Sequence, residues 1–404
     1  MSGARPRLRD VEPVPVPTPD GEMYYLKDPA GLADEIAVSP MAMWILAMMN
    51  GERDLTEIQL EFERRSGQPL ARDVLEALVD QLDARHLLDS PAFAAHATAL
   101  EAAFLAAPVR PAAFAGMCYP AEADLIVRQF DNYYTQGPGQ LARSTGPGAC
   151  ALIAPHIDPP RGGPAYAHAY HALDGAPPEL VIVLGTSHVP TGALLTFTRK
   201  DYETPLGAAR TDADAMARLE ARFGRALYTG EARHRSEHSI EFQMLFLKHR
   251  WPDAPFTTLP ILCGSPHEAL ARGEPPEAEA DYEPLVDALA GIAAERRTLI
   301  IASADLAHVG PQFGDPQPID DPARAALEGT DRAMLAPVLS RDRHAFRKAV
   351  WDDQDRTRIC GFMPIYTTLA LLERLGHAAN GDLLDYRQWP DPRAVVTYTA
   401  IAFR

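Results

Sequence analysis

With 404 residues, nearly half of them hydrophobic, the chain is long enough for two or three domains with sizeable cores. A formal charge of −17 excludes a nucleic-acid binder that relies on phosphate contacts, and it argues against an anionic membrane surface as partner. The cysteines, Cys118, Cys150, Cys263 and Cys360, are scattered without a C-x-x-C pair, which points to a reduced, cytoplasmic protein rather than a disulfide framework or a zinc knuckle.

The basic start is not followed by an apolar segment, so no secretory signal is expected. Residues 1–20 are rich in proline and charge and read as extended, with a short strand at 23–26. Ser39-Pro40 is an N-cap followed by proline at the first helical position, opening a helix over 41–49 that Asn50-Gly51 ends. That apolar run is too short to cross a bilayer. A second helix is expected over 56–65. A third, over 71–85, places Val74, Leu75, Leu78, Val79 and Leu82 on one face. Three helices with a wing make a winged-helix unit over 1–90. Its third helix carries Asp73, Glu76, Asp80 and Asp83 against Arg72 and Arg85, which does not suit a phosphate-lined groove.

The pattern Leu26-Lys-Asp-Pro-Ala-Gly31, Ser39-Pro40, Asn50-Gly-Glu-Arg-Asp-Leu-Thr-Glu-Ile58 and Gln81-Leu-Asp-Ala-Arg-His-Leu-Leu88 resembles PqqD-like domains. Those are small winged-helix units that hold peptides for radical S-adenosylmethionine (radical SAM) enzymes, so the resemblance implies a peptide ligand.

Residues 91–112 are Ala-rich and carry Pro108 and Pro111, which reads as a helical and proline linker. Residues 113–404 then form the second domain. Residues 133–149 read as a loop from their Gly-Pro-Gly signals, and no G-K-[ST] follows to make a phosphate loop. From Cys150 onward, buried strands at 150–155, 180–185, 257–262 and 298–303 alternate with helices near 164–173, 212–223, 236–249, 281–295 and 360–375. A late strand lies at 395–402. That alternation implies a three-layer, largely parallel α/β sheet.

In such sheets ligands bind outside the carboxyl ends of the strands. The runs Ala151-Leu-Ile-Ala-Pro-His156 and Leu180-Val-Ile-Val-Leu-Gly-Thr-Ser-His188 each end in a histidine, and Thr298-Leu-Ile-Ile-Ala-Ser-Ala-Asp305 ends in an aspartate with His308 close behind. The candidates for chemistry are therefore His156, His188, Glu237, His238, Asp305, His308 and Cys360. Two histidines with one anionic ligand leave open positions for water, oxygen or substrate, the layout of non-haem Fe(II) sites. Cys360 stands in a Gly/Pro-marked loop before a helix. It is either a thiolate ligand whose pKa the helix dipole lowers or a small buried turn residue. Asp305 and His308 share a face if their segment is helical; otherwise Asp305 is an N-cap. Glu237 and Glu241 share a helix face beside His238, as site residues or as first-turn acids complementing the dipole.

Seven motifs occur in order: Gly116-Met-Cys-Tyr-Pro120, Ala154-Pro-His156, Leu184-Gly-Thr-Ser-His188, Tyr202-Glu-Thr-Pro-Leu-Gly207, Glu237-His-Ser-Ile-Glu241, Ala302-Ser-Ala-Asp-Leu-Ala-His308 and Ile359-Cys-Gly361. Together they resemble the Memo family, also called AmmeMemoRadiSam system protein B. The resemblance implies a fold similar to class III extradiol dioxygenases, with a metal bound by His156, His188 and Cys360 and with Asp305 and His308 lining the pocket. It implies iron, or alternatively copper, and company with a radical SAM enzyme and an AMMECR1-type protein. His308, Asp305, His238 and Glu237 are then the acid–base candidates of a metal-dependent, dioxygenase-like oxidoreductase. The alternative is a non-catalytic peptide- or metal-binding accessory module. Two departures stand out. The dioxygenases carry a carboxylate where this chain has Cys360. The loop after His156 is Ile157-Asp-Pro-Pro-Arg-Gly-Gly163 instead of the family's Gly/Tyr-containing one, and Asp158 is a candidate extra carboxylate.

Overall fold

In the computed structural model, which describes residues 5–18, 21–28, 31–138, 148–173, 176–265 and 273–404, the chain forms two units, Met1–Ala106 and Ala107–Arg404. In the first, strands Glu12–Thr18, Gly21–Lys27 and Ile36–Val38 pair antiparallel in that order. The proline-rich start is thus an edge strand, where Pro13, Pro15 and Pro17 lose no ladder bond that a second neighbour would need. Helix Pro40–Leu46 begins as its Ser39 cap predicts, with Ser39 Oγ accepting from Ala42 N, but it stops three residues early. Helix Leu55–Ser66 has a full capping box of Asp54 and Glu57 and ends at Gly67 in the left-handed region, φ 69°. Helix Arg72–Ala84 buries Leu75, Val79 and Leu82. Helix Pro91–Ala106, expected as part of a linker, belongs to this unit.

The unit boundary falls ahead of residue 113 because Val109–Arg110 is already a strand of the second unit, parallel to Asp201–Tyr202, and Arg110 is fully buried there. The main sheet of this unit runs, in spatial order, Asp305–Val309, Val395–Phe403, Ala151–Ala154, Thr298–Ser303, Leu180–Thr186, Thr257–Cys263 and Leu195–Phe197. Asp382–Gln388 and Arg210–Thr211 pair outside this path. The four central strands are mutually parallel, and the flanking ones run antiparallel.

Continuous apolar runs form these strands because both faces are covered. Leu180, Ile182 and Leu184 pack into a core with helices Tyr282–Ala294 and Phe362–Arg374, while Val181 and Val183 pack into a second core with helices Ala123–Gln136, Pro159–His171 and His238–Arg250. The stretch expected as a loop from 133 therefore begins inside a helix, whose Phe130, Tyr133 and Tyr134 are buried. Residues 139–147 of that stretch lie outside the described residues. Helices Asp321–Leu339 and Arg343–Asp352 are not anticipated by the sequence reading. No helix among the described residues is long and apolar enough to cross a membrane.

Candidate metal centre

The parallel register sets three strand ends level: Ser303 lies opposite both Ala154 and Gly185. His156, His188 and Asp305 each follow their strand's last residue by two, so all three arrive at one edge. His156 is almost fully buried, at 2% exposure. Its backbone N–H donates to Asp305 Oδ1 at 2.9 Å, and its Nδ1 lies 3.0 Å from the Ser303 carbonyl. A carbonyl can only accept, so Nδ1 carries the proton and Nε2 keeps its lone pair. That Nε2 lies 3.3 Å from Cys360 Sγ and 3.7 Å from Asp305 Oδ2. Burial, and then the charge of His188, pushes the His156 pKa down to about 3, so the ring is neutral.

His188 is set by Glu237. The carboxylate accepts from His188 N at 3.0 Å and from His188 Nδ1 at 3.1 Å, which again leaves Nε2 as the free donor atom. Glu237 also caps helix His238–Arg250 by accepting from Ser239 N at 3.0 Å, and it lies 3.3 Å from His238 Nδ1. Burial opposes its ionisation, but the charges of His188 and His238 and these N–H bonds hold Glu237 well below the usual carboxylate range. Burial likewise opposes charge on His188, and Glu237 outweighs it, so the His188 pKa is raised. The His188 side chain is 35% open, and that opening faces a cavity.

Cys360 arrives on the 353–361 loop, where Gln354, Asp355 and Arg358 hold left-handed φ values. Asp355 Oδ1 anchors the turn by accepting from Ile359 N at 2.8 Å. Gly361 is required by close approach: a Cβ there would sit 2.4 Å from Asp305 O and 2.5 Å from Ala304 Cβ. Gly361 N donates to Asp305 O at 3.0 Å, which docks the loop on the strand end. The ligating atoms of His156, His188 and Cys360 all lie within 4.8 Å of one another. The expected lowering of the Cys360 pKa is corrected. Cys360 stands one residue outside the Gly361 cap of helix Phe362–Arg374, and burial, with the charge of Asp305 next, raises its pKa well above that of a free thiol.

Asp305 and His308 lie on strand Asp305–Val309, not on a helix. A register shift between them re-aims the strand. Burial raises the Asp305 pKa to about 6. His308 Nδ1 is tied to Leu306 O at 3.1 Å, and burial lowers its pKa to about 4 against the nearby charge of Asp305. His238 stacks on His188 with centroids 4.8 Å apart. His188, Glu237 and His238 form a second group of close donor atoms. Asp158 precedes helix Pro159–His171 and pairs with Arg161; it belongs to neither group.

The family model for Memo-like proteins matches residues 110–402. The chain belongs to the Memo family. Among its relatives, a MEMO1 family protein of Aquifex aeolicus is 26% identical over 368 residues, covering 91% of this chain and 92% of its own length. That span exceeds the second unit, so the likeness extends into the first. A MEMO1 family protein of Methanopyrus kandleri is 30% identical over 306 residues, 73% of this chain and 99% of its own length. One from Thermus thermophilus is 31% identical over 267 residues, 65% of this chain and 74% of its own length.

Of the residues that support this Memo-like site from behind, Arg110 and Gln243 escape the sequence reading, which names Glu241 as a site residue or a first-turn acid. Arg110, placed in a linker, donates to Glu237 O at 2.8 Å and to His234 O at 2.9 Å and pairs with Glu241. Glu241 also accepts from Ala113 N and Phe114 N at 3.0 Å each, and from Tyr119 OH. It is fully buried and ties the Gly116-Met-Cys-Tyr-Pro120 motif to the helix that Glu237 caps, so its role is structural. Gln243 Nε2 donates to Pro155 O at 2.8 Å and to Ser303 Oγ at 2.7 Å, tying the backbone just before His156 to the end of the neighbouring strand. A fully buried charge or amide at a helix position of an α/β sheet is the signal, but its partners are distant in sequence.

Proposed function

We propose that His156, His188 and Cys360 hold a first-row metal, iron or alternatively copper, and that the chain is a redox-related, dioxygenase-like member of its family. The observation that supports this is the convergence of three ligand atoms within 4.8 Å, two of them imidazole lone pairs whose tautomers Ser303 and Glu237 fix. The donor set fits such an ion: imidazole suits iron and copper alike, and a thiolate favours Cu(I) or a sulfur-ligated iron. Bound there, the ion supplies a Lewis-acidic, redox-active centre with open coordination positions.

The chain's own residues do the rest. His156 and His188 bind as neutral imidazoles. Cys360 releases its proton on ligation, as metal-bound thiols do. His238, grouped with His188 and Glu237, and His308, beside Asp305, are the side chains that exchange protons with substrate. On the strength of the family resemblance, the partners are a radical SAM enzyme and an AMMECR1-type protein.

A non-catalytic accessory role is the second reading. It is favoured by the first unit, where Trp44, Leu60 and Val74 are exposed at 57%, 62% and 57%. In that reading the unit is PqqD-like, and these side chains hold a peptide.

The test is elemental analysis of anaerobically purified full-length protein. About one iron or copper per chain is expected, with loss in Cys360→Ser. Cys360→Asp, which restores a two-histidine, one-carboxylate set, should retain iron better than copper. Oxygen consumption by the loaded protein supports the enzyme. A metal-free protein that binds peptide supports the module.

A further inference from the structure

Helix Pro91–Ala106 closes the first unit, yet among the described residues none of its side chains belongs to that unit's apolar core. The helix is alanine-rich and has few large side chains to bury. Two ring contacts join its first turns to the rest of the unit. His96 stacks on His86, with centroids 3.8 Å apart and planes 12° from parallel. The guanidinium carbon of Arg9 lies 3.7 Å from the centre of the Phe93 ring.

The backbone on each side sets this stack. His86 follows helix Arg72–Ala84 in the left-handed region, φ 61°, and its N–H donates to Asp83 O at 2.9 Å. The His86 carbonyl accepts from Arg9 Nη1 at 2.8 Å. Ser90 Oγ accepts from Phe93 N at 3.1 Å, which fixes the start of the helix that carries His96. Both rings are half-buried.

A face-to-face pair of imidazoles tolerates one proton better than two. Neutral rings stack as aromatic rings do, and an imidazolium over a neutral ring is held as a cation over a π face. Two imidazolium rings 3.8 Å apart repel, and even at the dielectric of water that repulsion weighs an equilibrium about sixfold. Imidazole is the side chain whose charge ordinarily changes between pH 5 and 8.

The surrounding charges leave that repulsion in place. Arg9 and Asp28, from the N-terminal segment and the second strand, pair with each other at 3.0 Å. Arg85, at the end of helix Arg72–Ala84, donates to Glu35 O at 3.3 Å. Asp89 of the following loop and Glu101 of the stacked helix are exposed. Asp83 stands closest in sequence, but His86 Nδ1 is buried without a hydrogen-bond partner, so no oxygen of Asp83 bonds to it. A proton on that nitrogen would have no acceptor.

We propose that the His86–His96 stack is a pH-sensitive latch. It holds the start of helix Pro91–Ala106 on the first unit while at most one ring is protonated, and it releases the helix when both are. The helix is the last element before strand Val109–Arg110, so the latch governs how the chain leaves the first unit.

The test is hydrogen exchange of the full-length protein by mass spectrometry at pH 7.5 and pH 5.0 in low salt, each peptide referred to its intrinsic rate at that pH. Protection of peptides from 91–106 should fall about sixfold or more at the lower pH, while helix Leu55–Ser66 stays within twofold. His96→Phe keeps a flat ring that cannot take a proton, and His96→Gln is a second uncharged variant. In both, the change with pH over 91–106 should shrink to within twofold. Equal protection at the two pH values in the parent protein would overturn the proposal, and so would a helix already unprotected at pH 7.5. Variants that keep the parent's pH dependence would overturn it as well, because the proton would then act elsewhere.

Discussion

Glu237→Gln isolates the device that aims His188. The carboxylate takes three N–H donors, from His188 N, His188 Nδ1 and Ser239 N, all at 3.0–3.1 Å, and His238 Nδ1 lies beside it at 3.3 Å. Glutamine keeps the shape but has one acceptor oxygen. Its amide must turn an N–H toward at least one of these donors. The change loses one or two hydrogen bonds to a charged acceptor, about 1.5–3 kcal/mol each. Much of that loss falls on His188, whose ring is then free to take the other tautomer and present a protonated Nε2. Partners of this kind behind a ligating histidine contribute roughly 10–100-fold in metal affinity. The assay is competition for Fe(II), and separately for copper, against a chromophoric chelator under anaerobic conditions, with thermal unfolding followed in parallel. A fall within that range, with the fold retained, is expected. Affinity within twofold of the parent protein would refute the reasoning, because it would mean that Glu237 only caps its helix.

Gly361→Ala should lower metal content while the protein stays folded, since its Cβ, 2.4 Å from Asp305 O, pushes the Cys360 loop off the strand end; metal analysis and circular dichroism check this. Glu241→Ala should destabilise by about 3–5 kcal/mol in urea unfolding, because it leaves the guanidinium of Arg110 buried without its partner. His234 should contribute to acid sensitivity. It is buried between Tyr202 OH and Thr196 O, and burial holds its pKa down to about 3 against an ordinary value of 6.5. Well above pH 6.5 the ring is neutral in both states and the effect vanishes. Toward and below it the unfolded chain binds a proton that the folded one refuses, so stability falls as pH falls, by roughly 2 kcal/mol between pH 6.5 and 4.5. Urea midpoints at pH 7 and pH 4.5 should therefore converge more closely in His234→Gln than in the parent.

The sheet is legible in the sequence because burial on both faces writes uninterrupted apolar runs, and the first polar residue after each run marks the strand end. That is why the amino-acid sequence alone assigns His156, His188 and Asp305 to one edge. Asp305–Val309 is not legible as a strand. Its Leu306 and Ala307 form too short an apolar stretch to separate strand from helix periodicity, and the register shift breaks alternation as well. Arg110 is obscured for another reason. Its flanking prolines look like a linker, and the partner that makes its burial tolerable, Glu241, stands 131 residues away. Helix Asp321–Leu339 does carry a stripe of Leu327, Met334, Leu335 and Val338, diluted by alanine and interrupted by Gly329 and Pro337.

Cys360 shows how local and tertiary terms compete at the centre itself. A helix start favours a thiolate by a modest amount that fades within the first turn. Cys360 stands outside the Gly361 cap, so little of that field reaches it. Against it act desolvation and the negative charges of Asp305, Glu237 and Asp355, all of which favour the protonated thiol. Burial wins. The same three acids that disfavour a thiolate on its own favour a cation at the point where Sγ, His156 Nε2 and His188 Nε2 meet. On the proposed metal reading, negative charge gathered behind soft and borderline donors, with their lone pairs already aimed, would attract a positive ion and offset the cost of releasing the Cys360 proton. The residues that make Cys360 a poor free nucleophile are those that suit it to being a ligand.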